Sequence, residues 1–117
     1  MITNFEGVTQ PLSDDERKLV PIIVEGLKKR NKTNPIKGAQ ICKRINEANL
    51  GVTITEARLR KLTNHIRSEG ILPVIATSKG YYSSYIIAEI QEQIDSLMDR
   101  ALAIQNSAEG LKQFLNK

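Results

Sequence analysis

The 117-residue sequence contains no tryptophan, a single cysteine and a single histidine, and only 4% aromatic residues. Its core must therefore be built from Ile, Leu, Val and Ala. Cys42 cannot form an internal disulfide, and Cys42 and His65 together are too few ligands for a zinc site within one chain. Because Cys42 follows the apolar Ile41 in a helical stretch, we interpret it as a buried structural thiol. A lone cysteine suits a reducing compartment, so we expect a cytoplasmic protein.

Long apolar runs and familiar catalytic motifs are also missing. The longest apolar stretches, Leu19–Val24 and Ile71–Ala76, are far shorter than the ~20 residues that a membrane span needs. Residues 1–11 are polar and lack the pattern of a secretory signal. No phosphate-binding loop or dinucleotide-type glycine pattern occurs. We therefore expect a protein that is not an enzyme, has no cofactor or metal and does not contact membranes.

Positive charge is concentrated in the middle of the chain. The formal net charge is +4, but residues 30–79 contain ten bases against three acids, which is net +7. Residues 86–117 contain three bases against five acids, which is net −2. This asymmetry indicates that only the first part of the chain contacts a polyanion.

Two helices are predicted in the first third of the sequence. Ser13 and Glu16 have the spacing of a capping box, so a first helix begins after Ser13 and ends at about Arg30. Pro21 lies inside this helix and predicts a bend. After a polar break at residues 31–35, a second helix runs from about Gly38 to Ala48.

A third helix and a β-hairpin follow. The third helix begins after Thr55 as N-cap, with a Thr53–Glu56 capping box as the alternative, and ends before Gly70. Leu59, Leu62 and Ile66 form its apolar stripe. Two β-prone runs, at 72–76 and 81–84, are separated by a turn that ends in Gly80, and they predict a hairpin.

The last segment has the most regular pattern. Its apolar residues alternate spacings of three and four, which is the pattern of a coiled-coil heptad repeat. We call these positions the heptad stripe: Ile87, Ile90, Ile94, Leu97, Ala101, Ile104, Ala108, Leu111 and Leu115. The stripe either folds back on its own domain or pairs with the same helix of a second chain. Its narrowness and length favour a homodimer.

The order of the elements predicts a fold that is mainly α with a small β-hairpin. Three helices followed by a hairpin are the order of a winged helix-turn-helix, to which a long coiled-coil-like C-terminal helix is added. We expect a flexible N-terminal segment at 1–11, a winged-helix DNA-binding domain at 12–85 and a heptad helix for dimerisation at 86–117.

The third helix of such a fold enters the major groove of DNA, so its outward side is the candidate reading surface. On this side Arg60 and Lys61 can pair with guanine edges or phosphates, and Asn64 can bind an adenine edge. No acid occurs between Ala57 and Ser68, where an ordinary solvated helix mixes both signs. The candidate DNA-binding residues in this helix are Ala57, Arg58, Arg60, Lys61, Asn64, His65 and Arg67.

The hairpin tip and the start of the second helix supply further candidates. Thr77, Ser78 and Lys79 offer hydroxyls and one cation to phosphates, although an ordinary solvent-exposed turn explains them equally well. Lys37 and the amides at the start of the second helix can hold a phosphate. Of Tyr81 and Tyr82, which alternate in direction, we expect one to pack inward and the other to lie outward.

Three motifs carry a resemblance to a known group of proteins. They are ARLRKL at 57–62, IRSEG at 66–70 and ATSKGYY at 76–82. Over about residues 12–115 the chain resembles small winged-helix proteins encoded by phages and prophages. The resemblance implies a winged-helix fold and DNA binding, with no defined target.

Two functions are therefore considered. The first is a double-stranded DNA-binding protein, a transcriptional regulator or accessory factor of phage or mobile-element type. The second is an interaction module in which the winged helix is a scaffold and the C-terminal helix recruits a replication or packaging protein.

Overall fold

The computed structural model describes residues 10–116. The flexible segment expected at residues 1–11 falls mostly on residues 1–9, which lie outside the described residues. The chain divides between Ser84 and Tyr85 into two compact units. As predicted, the structure is mainly helical, with a two-stranded antiparallel hairpin and a long C-terminal helix.

The helices and strands are as follows. In the first unit they are α1 (Asp14–Arg17), α2 (Val20–Lys28), α3 (Gly38–Glu47), α4 (Glu56–Ser68), β1 (Val74–Thr77) and β2 (Gly80–Ser83). In the second unit α5 (Ile87–Lys112) is followed by a 3₁₀ turn (Gln113–Asn116).

The predicted first helix is interrupted. Its capping box is confirmed, since the Glu16 amide donates to Ser13 Oγ at 3.1 Å and the Ser13 amide donates to Glu16 Oε1 at 2.9 Å. The single bent helix is wrong, because the chain leaves the helix after Arg17 and α2 begins at Val20. Pro21 lies in the first turn of α2, where its missing N–H would have had no partner in the helix.

Both ends of α4 follow from local chemistry. Thr55 is the N-cap, as predicted, and its hydroxyl accepts the Arg58 amide at 3.2 Å. At the other end Gly70 has φ +65°. The amides of Gly70 and Ile71 donate to the carbonyls of Arg67 and Ile66, each at 3.0 Å, which is a Schellman motif.

The hairpin is joined to the segment that precedes α3. Strands β1 and β2 pair with Thr77 opposite Gly80. On the other edge of β2, Ile36 exchanges two backbone hydrogen bonds with Tyr81, at 2.7 and 2.9 Å. Gly80 has φ +133°, and a Cβ there would lie 2.6 Å from the Ile36 carbonyl oxygen. Glycine is therefore required both by the backbone conformation and by the close approach of Ile36.

The core of the first unit is aliphatic, as expected from the composition. The apolar stripe of α4 is fully buried and packs with side chains from α2, α3 and the hairpin. Tyr82 is buried, and Tyr81 is half-buried and packs against the same core. The expectation that one of these two tyrosines lies outward is wrong, because Tyr81 packs against this core and Tyr82 is 4% exposed.

The second unit exposes its apolar side chains. Ile90 and Leu97 are half-buried, and the other residues of the heptad stripe are exposed. Met98 and Leu102 lie outside the stripe and are also exposed, so the apolar surface of α5 is wider than the heptad pattern indicated. No helix within residues 10–116 has both the length and the apolar character needed to cross a membrane.

Candidate nucleic-acid interface

The solvent-facing side of α4 carries cations and an amide. Arg60 and Asn64 are exposed, and Lys61 and His65 are half-buried. We call these four residues the α4 outer face. Because α4 contains no acidic residue after Glu56, their positive charge is not neutralised within the helix.

Arg67 does not point outward as expected, because it is half-buried and bonded to the hairpin. Its Nε donates to the Val74 carbonyl oxygen at 2.9 Å, so it ties α4 to β1. A second nitrogen of Arg67 donates to Asn64 Oδ1 at 3.3 Å. Since an amide oxygen has two lone pairs, Asn64 keeps one acceptor site and both N–H donors for another partner. Arg67 thus orients the Asn64 amide rather than joining the outer face.

Arg58 is a structural residue in this fold, which corrects its expected outward position. Its guanidinium pairs with both carboxylate oxygens of Glu16, at 2.6 and 2.7 Å, and donates to the carbonyl oxygens of Gln10 and Pro11 at 2.9 Å. Hydrogen bonds from Arg58 are the main cause that lowers the pKa of Glu16 from 4.5 to about 2, against the opposing effect of burial. Arg58 therefore fixes Gln10, Pro11 and Glu16 beside α4.

Ala57 is also not on the outer face, since only 7% of its surface is exposed. Helical periodicity places a residue relative to its own helix only. It takes no account of other segments that cover the first turn of that helix. A buried methyl group offers no contact to a ligand, so Ala57 leaves the set of candidate contact residues.

The structure brings Lys37 and the hairpin tip (Thr77, Ser78 and Lys79) together. All four residues are exposed, and Lys37 Nζ donates to the Ser78 carbonyl oxygen at 2.8 Å. The Thr77 hydroxyl accepts the Lys79 amide at 3.1 Å and therefore organises the turn. Two ammonium groups and the Ser78 hydroxyl remain available at this tip, a combination that suits phosphate oxygens.

A cavity of about 570 Å³ lies beside the α4 outer face. Lys61, Asn64 and His65 line one side of it, and Pro11 and Arg17 lie among its other lining residues. Sequence reasoning missed Arg17, because its position in α1 gives no signal that the fold places it next to α4. Among residues 10–116 no acidic side chain lines this cavity, so Arg17 and Lys61 make it a cationic groove.

Tyr81 is a second residue that sequence reasoning left outside the candidate site. Burial raises the pKa of its phenol, and the charges of Arg60 and Arg67 and a hydrogen bond with Thr63 oppose that rise. The Tyr81 ring is therefore a neighbour of the outer face rather than a part of it. The sequence signal for the position of Tyr81 was the Gly80-Tyr81 pair, which follows the hairpin turn.

Neither a reactive thiol nor a cluster of metal ligands lies in the described part of the chain. Cys42 is buried, and desolvation, with the nearby charge of Glu56, raises the pKa of its thiol. Within residues 10–116, no three His, Cys, Asp or Glu side chains lie close enough together to hold a metal ion. The α4 outer face and the hairpin tip present hydrogen-bond donors and positive charge to solvent.

Comparison of the chain with protein-family models, with curated proteins and with solved structures returned no match.

Proposed function

We propose that this chain binds double-stranded DNA through a winged helix-turn-helix in its first unit. The observation that carries the proposal is the α4 outer face, where Arg60, Lys61 and Asn64 are accessible on a helix whose opposite side is buried. Direct readout in the major groove uses these residue types, with Arg or Lys on guanine and Asn on adenine.

The order and pairing of the elements support the winged-helix assignment. Helix α2 is followed by the extended Ile36, then α3, α4 and the hairpin, and Ile36 adds a third extended segment to β2. In this arrangement α4 is the recognition helix and the hairpin is the wing. The Lys37–Ser78 hydrogen bond joins the start of α3 to the wing, so both contribute to one phosphate-binding surface.

The contacts divide into two kinds. Arg60 and Asn64 are placed to contact base edges, and Arg67 positions the Asn64 amide for that contact. Lys37, Lys79 and Arg17 are placed to contact phosphates, which fix register and carry no sequence information. Lys61 and His65 line the cationic groove together with Asn64 and Arg17.

The exposed heptad stripe of α5 supports a homodimer. Ile87, Ile104 and Leu111 are 82%, 72% and 68% exposed within the single chain. Pairing with a second α5 removes this apolar surface from water. A dimer presents two copies of α4 to a pseudo-palindromic site, which is the common mode of helix-turn-helix regulators. Together with the resemblance to phage and prophage proteins, this favours a transcriptional regulator or accessory factor of a mobile element.

The same exposed stripe favours a second candidate function. In that case the first unit is a scaffold, and α5 recruits a different protein, such as a replication or packaging factor. The two candidates differ in a simple property. The first requires DNA affinity at physiological salt, and the second does not.

Fluorescence anisotropy with a duplex of roughly 30 base pairs, which spans two half-sites and their flanks, tests the first candidate. We expect the double variant Arg60→Gln/Lys61→Gln to bind at least ~10-fold more weakly than the unaltered chain and to reduce the salt dependence of binding. The matched control is Lys28→Gln/Lys112→Gln, which removes the same net charge at exposed sites where each lysine pairs with a glutamate three residues earlier.

The control variant is expected to change affinity by less than about 3-fold, since exposed pairs of this kind contribute little. Equal losses in the two double variants would show that only net charge matters and would contradict the α4 assignment. Absence of binding at physiological salt, with a monomeric mass near 13.1 kDa by light scattering, would favour the interaction module, because the heptad stripe would then stay free for a different protein.

A further inference from the structure

A second cavity lies between α2 and α3, away from the candidate DNA interface. Its volume is about 420 Å³, and no residue of α4 or of the hairpin lines it. We call it the α2–α3 cleft. Its walls are aliphatic and are formed by Ile22, Ile23, Leu27, Ile36, Ile41 and Ile45. A cavity of this size lies in the range of small-molecule sites, which is roughly 300–1,000 Å³.

The polar residues that line the cleft are mostly cationic. Lys29, Arg30 and Arg44 line it together with Asn34, and no acidic side chain from the described part of the chain does. Arg30 donates to Asn34 Oδ1 at 3.1 Å. The charged groups of Lys29 and Arg44 have no hydrogen-bond or ion-pair partner among residues 10–116. Three neighbouring cations without a counter-charge favour an anion.

A glycine inside α2 keeps the cleft open. Gly26 lines the cavity, and a Cβ built on it meets no atom within 4 Å. Its backbone is helical, so neither a positive φ nor a close contact requires glycine there. Glycine in the middle of a helix lowers stability relative to alanine. Gly26 therefore lowers the stability of α2 relative to alanine. The absence of a side chain at this position leaves space in the cleft.

The size of the apolar surface selects the kind of occupant. Five of the six aliphatic wall residues are themselves buried, and Ile22 alone among them is largely exposed. The exposed apolar surface of the cleft is therefore too small to receive a helix from another protein. Such a helix binds through several apolar anchor residues along its length. It suits a small apolar body that enters between α2 and α3.

We propose that the α2–α3 cleft binds a small amphipathic carboxylate, with its apolar body among the isoleucines and its carboxylate at Lys29, Arg30 and Arg44. The site shares no lining residue with the α4 outer face. Binding is measured on the free protein, so the result does not depend on whether the chain binds DNA.

Isothermal titration calorimetry of the full chain with sodium decanoate tests the proposal. We expect saturable binding of one decanoate per chain. Gly26→Leu fills the cleft and weakens binding by about 10-fold or more. Gly110→Leu is the matched control, because Gly110 also lies inside a helix with no atom within 4 Å of its Cβ position, and it leaves decanoate affinity unchanged.

The charge requirement is tested separately. Arg44→Gln, an exposed position outside the core, weakens decanoate binding by about 3- to 10-fold, and decanol binds more weakly than decanoate by a similar factor. Saturable binding that Gly26→Leu leaves unchanged would overturn the proposal, as would the absence of saturable binding. Inorganic phosphate that binds as tightly as decanoate would also overturn it, because the apolar cavity would then play no part.

Discussion

Residues 10–84 and residues 85–116 both contain helices with aliphatic side chains at regular spacing. These side chains are buried in the first unit and mostly exposed in the second. In α4 of the first unit, Leu59 and Leu62 are 0% exposed. In α5, Ile87 is 82% exposed although its spacing from Ile90 and Ile94 is equally regular. Periodicity thus identifies which side of a helix is apolar, whereas the partner that covers this side comes from the rest of the fold or from another chain.

The two units also differ in charge. The basic residues of the first unit remain accessible on α4, at the hairpin tip and at the α2–α3 cleft, while α5 carries a mildly acidic, apolar surface. We therefore propose that the first unit contacts anions and that the second associates with another helix.

Truncation of a buried leucine, compared with an exposed one, is expected to give the largest change in stability. Leu62→Ala should lower the free energy of opening of α4 by about 3–4 kcal/mol, because it removes buried methyl groups and leaves a cavity. Leu111→Ala is the same substitution at an exposed position and should change that value by less than ~0.5 kcal/mol. Hydrogen exchange read out by mass spectrometry resolves the two units. Similar losses at α4 in both variants would contradict the difference in burial between Leu62 and Leu111.

The buried ion pair gives the first unit a pH dependence. In the folded chain the pKa of Glu16 is about 2, against an ordinary value of 4.5. The pair's contribution is complete above about pH 4.5 and is lost as the pH falls towards 2, which amounts to about 3 kcal/mol. Urea unfolding at several pH values should show this loss. Glu16→Gln should remove it.

Asp15→Asn is the control for that measurement, since it removes an exposed carboxylate of the same first turn that pairs with Lys18 at 3.4 Å. It should leave the pH dependence in place. A profile that Glu16→Gln does not flatten would show that the Glu16–Arg58 pair does not stabilise the fold.

Association through α5 is tested by a charge placed in the heptad stripe. Ile104→Glu should weaken dimerisation by at least ~10-fold, because pairing would bury an unpaired carboxylate. Asn106→Glu adds the same charge outside the stripe and should have little effect. Sedimentation or light scattering over a range of concentrations measures the difference. Equal behaviour of the two variants would mean that the stripe is not the dimer interface.

The smallest effect concerns the glycine of α5. Gly110→Ala should stabilise the second unit by about 0.5–1 kcal/mol, because its Cβ meets no atom within 4 Å and alanine is the better helix former. Gly80→Ala should instead destabilise the first unit, since its Cβ would lie 2.6 Å from the Ile36 carbonyl oxygen. Thermal unfolding followed by circular dichroism measures both. A stabilising Gly80→Ala would contradict the pairing of Ile36 with β2.

Local sequence signals predicted the elements well. The Ser13–Glu16 capping box, Thr55 as the N-cap of α4 and the hairpin turn at Gly80 were all predicted from short motifs, because the atoms involved lie within a few residues of one another. The interruption before Pro21 was missed for a related reason. Proline is tolerated both at a bend and in a first turn, and only the surrounding fold decides between them.

Contacts between distant segments were not predictable in this way. Arg58 has the sequence context of a solvent-facing cation, yet Glu16, 42 positions earlier, accepts its hydrogen bonds. Arg67 similarly binds Val74 of the hairpin. A helical wheel cannot reveal such partners, so it overestimated the number of cations on the α4 outer face. Arg60 and Asn64, whose side chains make no such long-range hydrogen bond with residues 10–116, lie where the helical periodicity placed them.

The central claim is that the outer face of α4 meets DNA, and an NMR titration of the ¹⁵N-labelled chain with duplex DNA tests it most directly. We predict that the largest changes in amide shift or line width occur between Arg60 and His65 and at Ser78 and Lys79, while the exposed middle of α5 changes little. Perturbations confined to α5, or no perturbation at a salt concentration near physiological, would contradict the claim.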